Sequence, residues 1–312
     1  MDKQRIALIG YGQIARTEHA PAIAASNAFE MVAAVTTGQD HGLDIPVFPS
    51  TEALLAADLG LDAAAICTPP AARHAIACRC LDAGLHLLLE KPTASTLGEA
   101  QDIAARSHLA ERTAFATWHA RHHPSVNDMA RRIAEEGLAS LHIVWREDVT
   151  KWHPDQSWIW QPGGFGVFDP GINALSIATR LLDAPFFVRA AALTLHEAGQ
   201  QPIAATLRLA AAGVRGPILA EFDWRPQPAE CWTIRAITES GTRLVLDQGG
   251  RQLEVDGQVQ PDAAGDEYAA LYARFAELIV NRRSDMDIEP LRLVADALLV
   301  AERMPAISGS PA

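Results

Sequence analysis

Cysteine is scarce: Cys67, Cys78, Cys80 and Cys231 are the only four in 312 residues. They are too few for a disulfide framework and lack zinc-finger spacing, which fits a reducing cytosol. Basic residues are also short, with 26 Lys plus Arg against 38 Asp plus Glu. The resulting formal charge of −12 repels phosphate backbones and anionic lipid surfaces, so neither nucleic acid nor membrane is expected as a partner. No apolar run approaches the roughly 18 residues of a membrane span, and Ile6 to Ile9 is too brief for a signal-peptide core. An unprocessed, cytoplasmic protein is expected. Internal repeats and low-complexity linkers are absent too. What remains is an ordinary globular composition, 49% apolar and 21% charged, in a chain long enough for two domains of about 100 to 200 residues each.

The first third alternates short apolar runs with helical periodicity, the pattern of βαβ units on a parallel sheet. Ile6 to Ile9, Phe29 to Thr36, Ala63 to Cys67, Leu85 to Glu90 and Thr113 to Trp118 read as strands. Ala71 to Ala83 reads as a helix stopped by Gly84, and Thr96 with Glu99 forms a capping box for the next helix. Beyond residue 120 the period becomes two, beginning with Leu141, Ile143, Trp145 and Val149. Five further strands over 187–195, 203–209, 218–224, 232–238 and 243–246 follow without intervening helices. The fold class is therefore α/β, a doubly wound (Rossmann) parallel sheet over 1–120, plus an α+β domain over 121–312 with a large, mostly antiparallel sheet. Tyr268, Leu271, Tyr272, Phe275, Leu278 and Ile279 keep helical spacing, and Pro290 opens a last helix that can pack back on the first domain.

Gly10-x-Gly12-x-x-Ala15 stands between a strand and a helix near the N-terminus. The first glycine permits a tight turn, the second admits a pyrophosphate to backbone N–H groups, and Ala15 lets helix and strand pack closely. A glycine turn without a ligand is the plainer alternative, made weaker by the βα units that follow. At the end of the second strand the chain has Val35-Thr36-Thr37-Gly38-Gln39-Asp40, with neither the acidic residue that binds a ribose in NAD nor a cation for the 2′-phosphate of NADP. NAD or NADP is the expected cofactor, and NAD is favoured because a phosphate without a nearby cation is poorly compensated. Glu90-Lys91-Pro92 closes a buried strand on the edge where ligands of such sheets collect. Lys91 there could hydrogen-bond a substrate hydroxyl, or be a solvated lysine with no task.

The glycine turn, Cys67-Thr68-Pro69-Pro70, Glu90-Lys91-Pro92 and the two-domain layout together resemble the glucose-fructose oxidoreductase and inositol dehydrogenase (Gfo/Idh/MocA) family over essentially the whole chain. Longer strings resemble the branch of that family that oxidises L-arabinose and D-galactose at C1: Ala116-Thr117-Trp118-His119, Glu147-Asp148-Val149, Lys151-Trp152-His153-Pro154, the run from Gly166 to Ser176, and that from Ala220 to Arg225. The resemblance implies NAD(P)-dependent oxidation of an aldopyranose (L-arabinose, D-galactose, D-fucose) at C1 to the aldonolactone, with Lys91, Asp169 and Asn173 catalytic. It also implies cofactor contacts at Gly10, Gly12, Gln13, Ile14, Thr36, Thr37, Thr68, Pro69, His74, Glu90 and Lys91, and a homo-oligomer, a dimer, through the outer face of the second sheet. The family usually has a histidine where Asn173 stands, which leaves the proton acceptor open between Asp169 and Lys91; Asp169 is favoured. Asp169-Pro170 also has the form of an N-cap followed by proline at the first helical position, which leaves simple helix capping as the alternative.

Trp118, Trp145, Trp152, Trp158 and Trp160 crowd one stretch with His119, Glu147 and His153. Apolar pyranose faces rest on indoles while hydroxyls need carboxylate or imidazole partners, which makes His119, Glu147, Trp152, His153 and Trp232 substrate-binding candidates beside Asp169 and Asn173. The register of Trp145 points to core, and Trp232 could equally be core. Histidines 119, 122 and 123 lack a completing ligand, and no metal is expected in the chemistry. Two other functions compete: a ring-hydroxyl dehydrogenase of the inositol type, which would yield a stable ketone, and a nonenzymatic cofactor-binding regulator.

Overall fold

Parallel strands buried on both faces need helices on both sides, and the first structural unit draws them from two stretches of chain. The computed structural model describes residues 2–38, 42–154, 156–196, 200–226, 228–261 and 265–305; Gln39 and Asp40 lie outside them. It divides into one unit of Met1–His119 with Asp266–Ile288 and another of Ala120–Gly265 with Glu289–Ala312. In chain order the first part contains β1 Gln4–Ile9, α1 Ala20–Ala25, β2 Phe29–Val35, β3 Val47–Phe48, α2 Thr51–Ala56, β4 Ala63–Ile66, α3 Pro70–Asp82, β5 His86–Leu89, α4 Leu97–Leu109 and β6 Ala114–Ala116. All pairings are parallel, in the order β3-β2-β1-β4-β5-β6, the doubly wound arrangement.

Alternation along β1 sends Ile6 and Leu8 to one face, where they join Phe29 and Phe115, and Ala7 and Ile9 to the other, with Leu54, Ala77, Cys80, Leu81 and Ile103. The α2, α3 and α4 helices serve the second face; on the first, α1 is only six residues long. The helix over 267–280, which the sequence reading placed in the second domain, supplies the missing cover through Tyr268, Leu271, Tyr272 and Phe275. The capping box forms as read, Glu99 N–H donating to Thr96 Oγ1 and Thr96 N–H to the Glu99 carboxylate, each at 3.2 Å.

The second unit follows with α5 Pro124–Glu136, β7 Leu138–Arg146, α6 Val149–Trp152, α7 Phe168–Leu181, β8 Phe186–Leu195, β9 Pro202–Ala211, β10 Ile218–Asp223, β11 Cys231–Thr238, β12 Arg243–Asp247, β13 Gln252–Val255 and β14 Gln258–Val259. Then come α8 Glu267–Val280 of the first unit, and α9 Glu289–Val300 and β15 Glu302–Pro305 of the second. The nine-stranded sheet runs β14-β13-β12-β11-β7-β10-β9-β8-β15 and is antiparallel except for the β7–β10 and β8–β15 pairs. Leu141, Ile143 and Trp145 on β7 face the core in register with Ile218, Ala220 and Phe222 on β10. His142 and Arg146 alternate with them and share Glu221 at 2.8 and 2.9 Å. Among the described residues no helix is long and apolar enough to cross a membrane.

Candidate active site

In the first unit the glycine turn is fixed by its neighbours. Gly10 and Tyr11 N–H both donate to Val35 O at 3.0 Å, and Cys67 N–H donates to Ile9 O at 2.8 Å, so the turn is tied to the ends of β2 and β4. Gly10 has φ +87°, and a Cβ there would lie 2.8 Å from both the backbone N and the Cγ2 of Thr68, so only glycine fits. At Gly12 a Cβ would meet nothing within 4 Å, which leaves open space beside the turn. Gln13 and Ile14 stand exposed next to it, and Ala15 is fully buried. Thr68 Oγ1 is buried without a hydrogen-bond partner among the described residues. Thr36 Oγ1 accepts from Gly38 N–H at 3.1 Å while Thr37 is exposed. These features fit a dinucleotide held at Gly10, Gly12, Gln13 and Ile14, with Thr36, Thr37, Thr68 and Pro69 around it. The His74 side chain instead points across to α4, its Nε2 2.8 Å from Asp102 Oδ2.

Between the turn and α1 the helix widens into a π-helical turn over Ala15–His19, closed by Ala20 N–H on Ala15 O. Pro21 lacks an N–H and its ring crowds the preceding turn, and the wider spiral accommodates it while turning His19 inward. His19, fully buried, places Nδ1 2.9 Å from the Tyr272 hydroxyl and Nε2 3.3 Å from Glu90 Oε1. Tyr268 OH donates to the same Glu90 oxygen at 2.9 Å, and Lys91 N–H donates to Glu90 Oε2 at 2.5 Å. Burial alone would lower the His19 pKa, but Cys67 and Glu90 beside it raise it to about 10. Burial likewise opposes ionisation of Glu90, yet the hydrogen bond and charge of His19 hold it well below the usual carboxylate range. The Glu90 carboxylate, read from sequence as a cofactor contact, is thus engaged by protein donors and anchors the main chain at Lys91.

Arg73 went unread in the sequence. Its buried guanidinium donates to the carbonyls of Thr68, Glu90 and Pro92, joining the β4 and β5 ends on which Thr68 and Lys91 stand. An arginine within an apolar helical stretch was the available signal. The Lys91-Pro92 bond is cis. His119 Nδ1 lies 2.8 Å from Glu267 Oε2, and its ring stacks on Tyr268 at 5.4 Å. Trp118 is fully buried and donates to Asp287 O at 2.9 Å.

The second unit gathers a separate group. Glu147, just past β7 and 8% exposed, accepts Trp224 Nε1–H at 3.0 Å on one oxygen and Trp232 Nε1–H at 2.9 Å on the other. Trp145 pairs across the sheet with Trp232 and is core, as its register indicates. Trp224, which sequence reading placed at a strand end without a role, packs in a T-shaped arrangement with His153, ring centroids 5.1 Å apart. His153 in turn places Nε2 3.4 Å from Asp169 Oδ2 and Nδ1 3.2 Å from Gln156 Oε1. Trp152 is 44% exposed, its indole held by Glu230 at 2.6 Å.

The expected N-cap role of Asp169 is overturned. The helix begins at Phe168 with Val167 in the cap position, so Asp169 and Pro170 lie inside the first turn. Gly166, at φ +52° and with no room for a Cβ against Pro202 O, already turns the chain into helix. Backbone carbonyls take up the first N–H groups: Val167 on Pro202, Phe168 on Phe165 and Asp169 on Gly166. With no N–H left for it to cap, the Asp169 carboxylate, 5% exposed, reaches His153. Asn173, four residues on, has its Oδ1 buried without a hydrogen-bond partner among the described residues.

Residues 4–117 match the model of the oxidoreductase family with an NAD-binding Rossmann fold, Gfo/Idh/MocA, and the chain belongs to that family. Galactose 1-dehydrogenase of Pseudomonas fluorescens is 42% identical over 304 residues, 97% of this chain and 98% of that one. The crystal structure of D-galactose-1-dehydrogenase protein from Rhizobium etli superposes with a TM-score of 0.90 at 41% identity, covering 98% of this chain and 97% of that one. A 3-ketoreductase from Actinomadura kijaniata in complex with NADP, 19% identical with a TM-score of 0.84 over 98% of this chain and 100% of that one, shares the fold.

Proposed function

We propose that the protein is an NAD(P)-dependent aldose 1-dehydrogenase that oxidises D-galactose, and its near relatives L-arabinose and D-fucose, at C1 to the aldonolactone. The observation that carries this reading is the 42% identity to a galactose 1-dehydrogenase along almost the whole of both chains. The chemistry of the second unit supports it. The neighbouring indoles of Trp152 and Trp232, 6.0 Å apart, beside the Glu147 carboxylate that Trp232 shares with the buried Trp224, suit a pyranose, whose faces are apolar and whose rim is hydroxylated. The unsatisfied Asn173 Oδ1 would gain a partner in a sugar hydroxyl.

When bound, the nicotinamide would supply the hydride acceptor. Asp169 takes the proton from the C1 hydroxyl, and His153 against its carboxylate fixes the orientation of that base. Lys91 and Asn173 hold the reacting oxygen, and the ammonium offsets negative charge developing there. Glu147 is assigned to a ring hydroxyl, as a carboxylate acceptor held in place by its indole donors. His119 is assigned to the same hydroxyl-reading group. Arabinose lacks the hydroxymethyl of galactose and shares its remaining ring stereochemistry, so one pocket can serve both. NAD is preferred over NADP, because Thr36 and Thr37 offer hydroxyls and no cation to a 2′-phosphate. The protein works in the cytosol, in keeping with four unpaired cysteines, and as a dimer through the outer face of the nine-stranded sheet.

The test is absorbance of reduced nicotinamide with L-arabinose, D-galactose, D-fucose, D-glucose and myo-inositol, each offered with NAD and NADP. Reduction with galactose or arabinose, giving a product that hydrolyses to an acid, is expected. Turnover of inositol to a stable ketone would replace the assignment with the ring-hydroxyl type. Tight cofactor binding with silence across the panel would replace it with the regulator.

A further inference from the structure

Away from the glycine turn and the aromatic group, the helices α3 and α4 bring three metal-ligating side chains to one point. His74 and Cys78 stand one turn apart on α3 and so share a face; Asp102 comes from α4. One ligand atom from each lies within 4.8 Å of the others, the one such His/Cys/Asp/Glu group among the described residues. We propose that His74, Cys78 and Asp102 form a binding site for a soft divalent transition-metal ion, zinc above all, that ties α3 to α4.

The spacing carries the argument. A tetrahedral zinc with bonds of about 2.3 Å to sulfur and about 2.0 Å to nitrogen and oxygen sets ligand–ligand edges of about 3.6 Å for S···N, about 3.5 Å for S···O and about 3.3 Å for N···O. The observed edges are 3.6 Å from Cys78 Sγ to His74 Nε2, 3.9 Å from Sγ to Asp102 Oδ2, and 2.8 Å from Nε2 to Oδ2. The first edge already matches, and the other two adjust within the reach of a side-chain rotation. The His74 and Asp102 side chains are 30% and 41% exposed, so an ion can enter and a water can complete the fourth position. Thiolate and imidazole together select zinc or another late transition metal over magnesium or calcium.

Binding breaks the His74–Asp102 hydrogen bond, leaves His74 as the neutral tautomer with its proton on Nδ1 so that the Nε2 lone pair can ligate, releases the Cys78 thiol proton to solvent and forms metal–sulfur, metal–nitrogen and metal–oxygen bonds, with no change in oxidation state. Arg106 competes, donating to Asp102 Oδ2 at 2.7 Å, but its side chain is 47% exposed and can turn to water. The sequence reading missed the site because it searched for paired cysteines, whereas this group joins a His-x-x-x-Cys turn to an aspartate far along the chain.

Chelator-treated full-length protein titrated with Co²⁺ reads the site directly, since a cobalt–thiolate bond gives charge-transfer absorbance in the near ultraviolet. One equivalent is expected to produce the band, and Zn²⁺ to abolish it by displacement. Cys78→Ser should lose the band while Cys231→Ser keeps it. His74→Ala and Asp102→Asn should weaken binding at least tenfold, and Arg106→Gln should tighten it. Circular dichroism verifies that each variant is folded, and the measurement is independent of sugar oxidation. Absence of a band in the parent protein, or a band of equal strength in Cys78→Ser, would overturn the proposal.

Discussion

Replacing Glu90 with glutamine probes an ion pair that is buried on both sides, with His19 at 0% and Glu90 at 3% exposure. The substitution keeps shape and volume but removes the Glu90 charge that, together with Cys67, holds His19 protonated. It also sets an amide either against the Lys91 N–H, which now donates at 2.5 Å, or against His19 and Tyr268. Removing one partner of a buried pair costs about 3 to 5 kcal/mol, against a few tenths for a surface carboxylate. The pH dependence has a definite sign. His19 is raised from 6.5 to about 10 in the folded protein, so its share is complete below pH 6.5 and fades as pH rises through about 10. Glu90 is lowered from 4.5, so its share is complete above pH 4.5 and fades in stronger acid. Urea unfolding of parent and variant across pH 5 to 10, followed by far-ultraviolet dichroism, should show the largest gap near pH 5 to 6.5 and a shrinking gap above it. A difference under about 1 kcal/mol at pH 6, or one as large at pH 10 as at pH 6, would refute the reading of a charged pair.

Three further substitutions test other links. Asp169→Asn keeps the His153 contact but cannot accept a proton; kcat should fall by about 10² to 10⁴ with KM within severalfold, and unchanged kcat in stopped-flow assays would remove Asp169 from the base role. Gly10→Ala drives a Cβ to 2.8 Å from Thr68 at φ +87°; fluorescence titration should show cofactor affinity reduced by an order of magnitude or more, with thermal stability lowered by about 1 to 3 kcal/mol. Trp232→Phe removes one of the two indole donors to Glu147 and should raise KM for the sugar, leaving the Kd for NAD unchanged by calorimetry; a change in cofactor affinity alone would contradict the assignment.

The first sheet was legible because burial on both faces writes continuous apolar runs: Ala63–Ile66 and His86–Leu89 fall inside the strands read from sequence. The helix α5 was equally marked, by Pro124 at its start and Val126, Met129, Ala130 and Ile133 at helical spacing, but the passage was read only for the change of period that follows. The two-residue strand β3 is too short for periodicity to register. What no local pattern could announce is that α8 belongs to the first unit. Its stripe was plain, but the choice of partner depends on the face lined by Ile6, Leu8, Phe29 and Phe115, which exists only once the sheet has formed.

The candidate site divides along the same line. Glycine turns and the ends of buried strands are local features, so Gly10, Gly12, Thr68 and Lys91 could be singled out from the chain. Side-chain partnerships are long-range: His19 and Glu90 are 71 residues apart, Glu147 and Trp232 are 85 apart, and no spacing rule connects them. Asp169 lies between these cases. An aspartate followed by proline reads as a cap wherever the chain approaches in extended form, yet here Gly166 bends the chain three residues early and Val167 takes the cap position. A carboxylate in the first turn of a helix, relieved of capping, can be committed to another partner. In this unit that partner is His153, and the pair would hold its geometry in the same way that Glu90 holds the backbone of Lys91 in the other unit. Of the proposed reacting residues, Asp169 is thus steadied at its side chain and Lys91 at its backbone, each by a polar partner whose desolvation cost is offset where orientation matters to a reaction.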